Sequence, residues 1–195
     1  MTGLSRLLAD IRKCEDCKTM LPLGPRPVVQ AAASARILIA RQAPGRKVHE
    51  TGIPFNDPSG DRLRQWLGVT REQFYDPKLF ALVPMGFCFP GTGSGGDAPP
   101  RPECALKWRN KLLDKLPNVQ MTLVLGQYAQ EWHLRRDRQA SLTETVRAWR
   151  DYEARGILPL PHPSPRNVRW FAANPWFDAE VVPVLRKRVR KLLAA

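Results

Sequence analysis

The sequence predicts an α/β fold, a three-layer α/β/α arrangement in which a central, mainly parallel sheet of four strands carries helices on both faces, with residues 1–195 forming one domain. Three observations predict it. Four short apolar runs recur along the chain, segments of helical periodicity alternate with them, and Gly and Pro punctuate the connections. Hydrophobic residues make up 43% and charged residues 25%, enough apolar side chain for one core, which excludes a disordered polycation.

Leu4, Leu7, Leu8 and Ile11 fall at helical spacing, so residues 3–13 read as an amphipathic helix. The run 36–41 (RILIAR) is a buried strand, followed by a Gly/Pro-punctuated loop over 43–59. Leu63, Trp66 and Leu67 mark a helix that starts near Ser59 and stops at Gly68. Residues 79–83 give a second strand and run into a long loop over 84–102. Leu106, Trp108, Leu112, Leu113 and Leu116 suggest a helix, and 121–125 (MTLVL) a third strand that ends at Gly126. A helix begins near Gln127, the stretch 135–150 is polar and basic, and 157–160 is a fourth strand stopped by Pro161. Residues 175–193 close the chain as a helix whose Arg186, Lys187, Arg188, Arg190 and Lys191 read as a solvated face. In such sheets functional groups collect beyond the carboxyl ends of the strands, which directs attention to the loops beginning at Gln42, Pro84 and Pro161.

With 31 Lys and Arg against 18 Asp and Glu, the chain carries a formal charge of +13. That excess favours a polyanionic partner, nucleic acid ahead of an acidic membrane surface, while a basic surface that merely aids solubility is the bland alternative. No secretory leader is expected from a first segment broken by Arg6, Asp10 and Arg12, and no membrane span from a longest uncharged stretch interrupted by Pro84 and Pro90. The expected location is cytoplasmic, nucleoid-associated in a bacterium, and the default state a monomer. In a reducing compartment four cysteines suit metal ligation better than disulfides. Cys14 and Cys17 form a C-x2-C pair, and Cys88 and Cys104 bracket the second long loop. Four thiolates suit zinc or an iron-sulfur cluster, and the unrepeated C-x2-C pair tilts toward the cluster; four unrelated buried thiols are the alternative.

The first loop holds Gln42-Ala43-Pro44-Gly45, then Thr51-Gly52-Ile53-Pro54-Phe55 and Asn56-Asp57-Pro58-Ser59-Gly60. The fourth holds His162-Pro163-Ser164-Pro165-Arg166-Asn167. In this order the segments resemble the two motifs of the uracil-DNA glycosylase superfamily, and most of all its iron-sulfur branches. The fourth family writes GEAPG and GxPFxG, and the fifth carries an aspartate just before a Ser-Gly pair. The four cysteines sit where those families hold a [4Fe-4S] cluster. The resemblance spans roughly residues 10–170, and three ordered elements are far more specific than one.

It implies a repair enzyme that everts a uracil nucleotide from DNA and hydrolyses its N-glycosidic bond, leaving an abasic site. Phe55 would stack on the extruded base, and His162 would donate a hydrogen bond to the uracil oxygen where negative charge develops. Asp57 would orient or deprotonate water and offset charge on the sugar, although Asn56-Asp57-Pro58-Ser59 is equally a good helix-capping sequence, and Glu50 is the reserve carboxylate. Ser164, Arg166 and Asn167 would meet DNA, with Arg166 able to fill the stack or contact phosphate. The chain departs from the family at Gln42, where the fourth family has glutamate, at Ala43, where the first family has its catalytic aspartate, and at Pro84, where the fourth family has a base-reading asparagine. Base reading then falls to Gln42, Ala43 or the backbone of Met85, Gly86 and Phe87. His49 and Lys47 read as a solvated loop and His133 as structural.

No lysine nucleophile stands out, so the expected enzyme is monofunctional. The missing side chains at Gln42, Ala43 and Pro84 motivate an alternative from the binding class, a lesion or abasic-site binder of weak turnover. A zinc-stabilised nucleic-acid module is the third reading.

Overall fold

Strand β1 (Ile37–Ala40) lies inside the sheet and pairs in parallel with β2 (Phe80–Leu82) on one side and with a later strand, Met121–Leu125, on the other. The computed structural model describes residues 3–93 and 95–194, leaving Met1, Thr2, Ser94 and Ala195 outside. Between β2 and the third sheet strand the chain makes a small hairpin, β3 (Thr92–Gly93) against β4 (Gly96–Asp97). The sheet is completed by β5 (Met121–Leu125) and β6 (Ile157–Leu160), in the order β2-β1-β5-β6 with every pair parallel.

Alternate residues of a strand face opposite sides, and each side has its own core. Ile37, Ile39, Leu82, Leu123 and Leu160 face Leu63, Trp66 and Leu67 of α3 (Pro58–Leu67) and Val182, Leu185 and Val189 of the last helix. Leu38, Ala81 and Val83 face Leu4, Leu8 and Ile11 of α1 (Gly3–Arg12), together with Leu112. Truncating a fully buried Leu or Ile among these, such as Ile39 or Leu123, to Ala costs about 2–5 kcal/mol. Among the described residues no helix is long and apolar enough to cross a membrane.

All four sheet strands lie where the apolar runs place them. The connections hold more structure than the sequence reading expects. Residues 43–59 contain α2 (Arg46–Thr51), which ends at Gly52 in the left-handed region, and α4 (Arg71–Tyr75) starts from a Thr70/Gln73 capping box. The expected helix around Leu106–Leu116 is built from α5 (Pro102–Cys104), a π-helical turn (Ala105–Arg109) and α6 (Asn110–Leu113). That wider turn rotates Leu106 out of the apolar stripe, leaving it 85% exposed. After α7 (Gln127–Leu134), the polar stretch folds into α8 (Leu142–Arg147) on a Ser141 cap. The final segment comprises α9 (Val168–Ala173), a π turn (Phe177–Val181) and α10 (Val182–Ala194). Its basic face is only partly solvated: Arg186 donates to the Gln65 carbonyl at the end of α3, and Arg188 pairs with Glu153 at 3.2 Å.

Candidate active site

A cleft of about 450 Å³ opens at the carboxyl ends of the strands. Arg41, Gln42 and Ala43 enter it directly after β1, and His162, Ser164, Arg166 and Asn167 follow β6. Asp57 and Ser59 come from the amino end of α3, and Gly95, Gly96 and Asp97 come from the β3–β4 hairpin. Three separated segments therefore converge as the motifs imply. The second long loop contributes through its hairpin, whereas Met85, Gly86 and Phe87 lie elsewhere.

The position of Asp57 follows from local backbone chemistry. It is extended (φ −152°) and its Oδ1 accepts from Gly60 N at 2.8 Å, capping α3 ahead of Pro58 at the first helical position. Gly60 has to be glycine, since an ideal Cβ there would lie 1.8 Å from the Phe55 carbonyl oxygen. Phe55 itself sits at φ 56°, an unusual conformation for a bulky residue. The turn 52–60 is thus locked, and it aims the second carboxylate oxygen of Asp57 toward Arg41, with Oδ2 and Nη1 4.0 Å apart.

His162 follows β6 by two residues. Gln130 Nε2 and Gly126 N both donate to the Leu160 carbonyl at 3.0 Å, which fixes the strand end, and Asn167 Nδ2 donates to the His162 carbonyl at 2.7 Å. Burial, reinforced by the Arg41 charge and opposed by Asp57, pushes the imidazole down from 6.5 to about 4. The ring is therefore neutral at physiological pH and offers one N–H donor and one acceptor. Arg62 Nη1 donates to the Ser164 carbonyl at 3.3 Å, and the Ser164 hydroxyl accepts from Arg166 N at 3.2 Å. Arg166 is exposed and reaches over the hairpin at Gly96, where an ideal Cβ would lie 2.5 Å from its Nη1.

The other candidate residues divide between the cleft and the core. Gln42 lines the cleft, but its Nε2 donates to the carbonyls of Ala98 (2.8 Å) and Asp97 (3.3 Å), fastening the hairpin. Phe55 is 1% exposed, packs edge-on against Phe74 and does not line the cleft; the Arg41 guanidinium lies 4.4 Å above its ring. Met85 N and Gly86 N are spent on the carbonyls of Arg41 (2.7 Å) and Gln42 (2.9 Å). The Met85 side chain packs with Ala40, Val124 and Ala129, and Phe87 joins the core under α1. His49, expected in a solvated loop, is buried on α2 beside Phe89 because the loop coils into a helix there, while Lys47 is exposed at the cleft. His133 is structural, as expected: its Nε2 lies 2.6 Å from the Nη2 of buried Arg109, which itself donates to the carbonyls of Val83 and Pro84. Arg41 is the site residue that sequence reasoning passed over. Its signal was faint, an arginine closing an otherwise apolar strand run.

At the far side of the second loop, Cys14, Cys17, Cys88 and Cys104 line one apolar cavity with Ile11, Leu21, Phe87 and Trp108. All four are free thiols, and burial pushes Cys88 up to about 12 and Cys104 up to about 11. Among the described residues no three His, Cys, Asp or Glu side chains close to the spacing of a lone metal ion. Cys88 and Cys104 bracket the hairpin that walls the cleft.

A neutral imidazole, a carboxylate and a basic rim gather at the strand ends of a parallel α/β sheet, where such folds collect their functional groups. The chain belongs to the uracil DNA glycosylase superfamily, whose family model matches residues 28–186. That match takes in both motifs, Cys88 and Cys104, and leaves out α1 with Cys14 and Cys17. Membership makes the class that of a DNA-repair glycosylase of base excision repair.

Proposed function

We propose that this protein is a monofunctional uracil-DNA glycosylase. The observation that carries the reading is the convergence of His162 and Asp57 on one cleft whose rim bears Arg46, Lys47 and Arg166. The rim cations take the phosphates flanking a uracil nucleotide, and the nucleotide everts into the cleft at a cost of a few kcal/mol of unstacking. As the C1′–N1 bond breaks, its electron pair passes to N1 and spreads onto the base oxygens, and the sugar gains oxocarbenium character. Neutral His162 donates its N–H to the base oxygen that gains charge, a contribution of the kind worth roughly 10²–10³ in rate. Asp57 offsets the sugar charge and orients the water whose oxygen bonds to C1′; the water proton passes to the carboxylate and on to solvent. The products are free uracil and an abasic deoxyribose.

The donor set of the cysteine cavity fits a [4Fe-4S] cluster, in which each sulfur binds its own iron and the four need not close on a common ion. Cys14, Cys17, Cys88 and Cys104 would hold it, and it would tie α1 to the base of the β3–β4 hairpin. Iron and acid-labile sulfide in the purified protein support this assignment; zinc alone contradicts it.

The test of function is base release from matched U:G duplex and single-stranded substrates, with H162A and D57N alongside. Uracil release that falls at least roughly 10² in each variant supports the proposal. Tight binding to uracil or abasic DNA without release, unchanged in D57N, would select the lesion-binding alternative.

A further inference from the structure

Arg41 is only 4% exposed, yet the hydrogen-bonding capacity of its guanidinium is unused. Its one ion pair, to Asp57 Oδ2 at 4.0 Å, is longer than a hydrogen bond, and its other contact is the face of Phe55. Among the described residues none of its N–H groups reaches an acceptor. Two other buried arginines do have side-chain partners, Arg109 donating to the carbonyls of Val83 and Pro84 and Arg64 reaching Asp61 at 2.5 Å, although Arg64 Nη1 and Arg109 Nε are themselves enclosed without one. No Arg41 nitrogen is among the fully enclosed unpaired atoms, so its uncommitted N–H groups keep access to the cleft, where water or a ligand can meet them.

The chemistry of the cleft says which ligand. Phosphates meet the exposed rim formed by Arg46, Lys47 and Arg166, whereas Arg41 is set deeper, at the end of β1, against Phe55 and Asp57. A group reaching that depth is the everted base. The space on the Phe55 side of Arg41, bounded by Pro44, Pro54 and Pro84, is only about 10 Å³, so the base enters on the cleft side and meets the guanidinium before it meets the phenyl ring. His162, being neutral, contributes a donor and no charge. Of the motif positions that read the base in the resembling families, Gln42 has its Nε2 committed to the hairpin and Pro84 has no donor.

We infer that Arg41 is a catalytic and specificity-determining residue: its N–H groups donate to the carbonyl oxygens of the everted base and hold the negative charge that arrives there when C1′–N1 breaks. The inference rests on the glycosylase reading above and assigns a residue of this chain to its base recognition and leaving-group step. Cytosine presents an amino group to the same donors and is refused. Phe55 acts through Arg41, fixing the guanidinium by a cation–π contact.

The test compares wild type, R41M and R41K in single-turnover release of uracil and 5-fluorouracil from the same duplex. 5-Fluorouracil carries the leaving-group charge more readily and needs less help. R41M is expected to lose roughly 10²–10³ in uracil release and at least about tenfold less with 5-fluorouracil, with partial recovery on adding guanidinium ion. Equal losses on both bases with no recovery would mark Arg41 as structural and overturn the inference. Should R41M not fold, the same ratio is read on R41K, which keeps the charge and loses the planar fork. A wild type that releases neither base defeats the glycosylase reading; the inference is then judged on free-base titration by NMR. Binding of uracil over cytosine in wild type, lost in the variant, upholds it, and indifference to the base refutes it.

Discussion

Asp57 carries two duties that substitution can separate, because each uses a different carboxylate oxygen. Oδ1 caps α3 through Gly60 N at 2.8 Å, and Oδ2 faces Arg41 at 4.0 Å across the cleft wall. Asn retains a cap acceptor and loses the charge; Ala loses both. D57A is therefore expected to be less stable than D57N by about 1 kcal/mol, the usual worth of an N-cap. In a chain of this length that difference is a melting-temperature gap of about 2–4 °C. In single-turnover base release both variants should fall by at least roughly 10², since both lack the negative charge beside the sugar and water. The stability gap and the shared rate loss are measured on the same two proteins. A D57N enzyme of full rate would refute the catalytic role, and equal melting of D57N and D57A would refute the cap.

His162 titrates at about 4 in the folded chain against 6.5 ordinarily, so the unfolded chain takes up the proton first. Its contribution to stability is complete above about pH 6.5 and is lost as pH falls through 4, and His133, pushed down to about 3 by burial and by Arg109, acts with the same sign. Base release should show no histidine inflection between about pH 5 and 8; a step near 6.5 that disappears in H162Q would contradict the neutral imidazole. G60A places a Cβ against the Phe55 carbonyl and is expected to lose at least about 3 kcal/mol in denaturant unfolding, whereas near-native stability would show that the 52–60 turn is not locked.

The sheet was legible because each strand is a short, two-sided apolar run, as in 37–40 and 121–125, and buried parallel strands leave that pattern. The cleft loops were legible because His162, Asp57 and Arg166 lie within compact motifs placed directly after strand ends or at a helix cap. The short helices were harder to see. Six residues of α2 span too few turns for periodicity to register, and the π turn at 105–109 breaks the phase on which the stripe through Leu106 depended. The Thr70/Gln73 capping box that announces α4 was readable and was passed over. Arg41 and the hairpin wall were hidden for another reason. Whether a side chain at a strand end finds an acceptor, or a glycine-rich loop doubles back to wall a cleft, depends on partners more than forty residues away, such as Asp97 and His162.

The most direct measurement is a structure of the protein bound to duplex DNA carrying a 2′-fluoro-deoxyuridine, which everts but resists cleavage. The uracil ring is expected in the cleft of Arg41, Asp57 and His162, with its oxygens within hydrogen-bond distance of the imidazole and the guanidinium. A nucleotide that stays stacked in the duplex, or a base lodged at any other surface, would contradict the account.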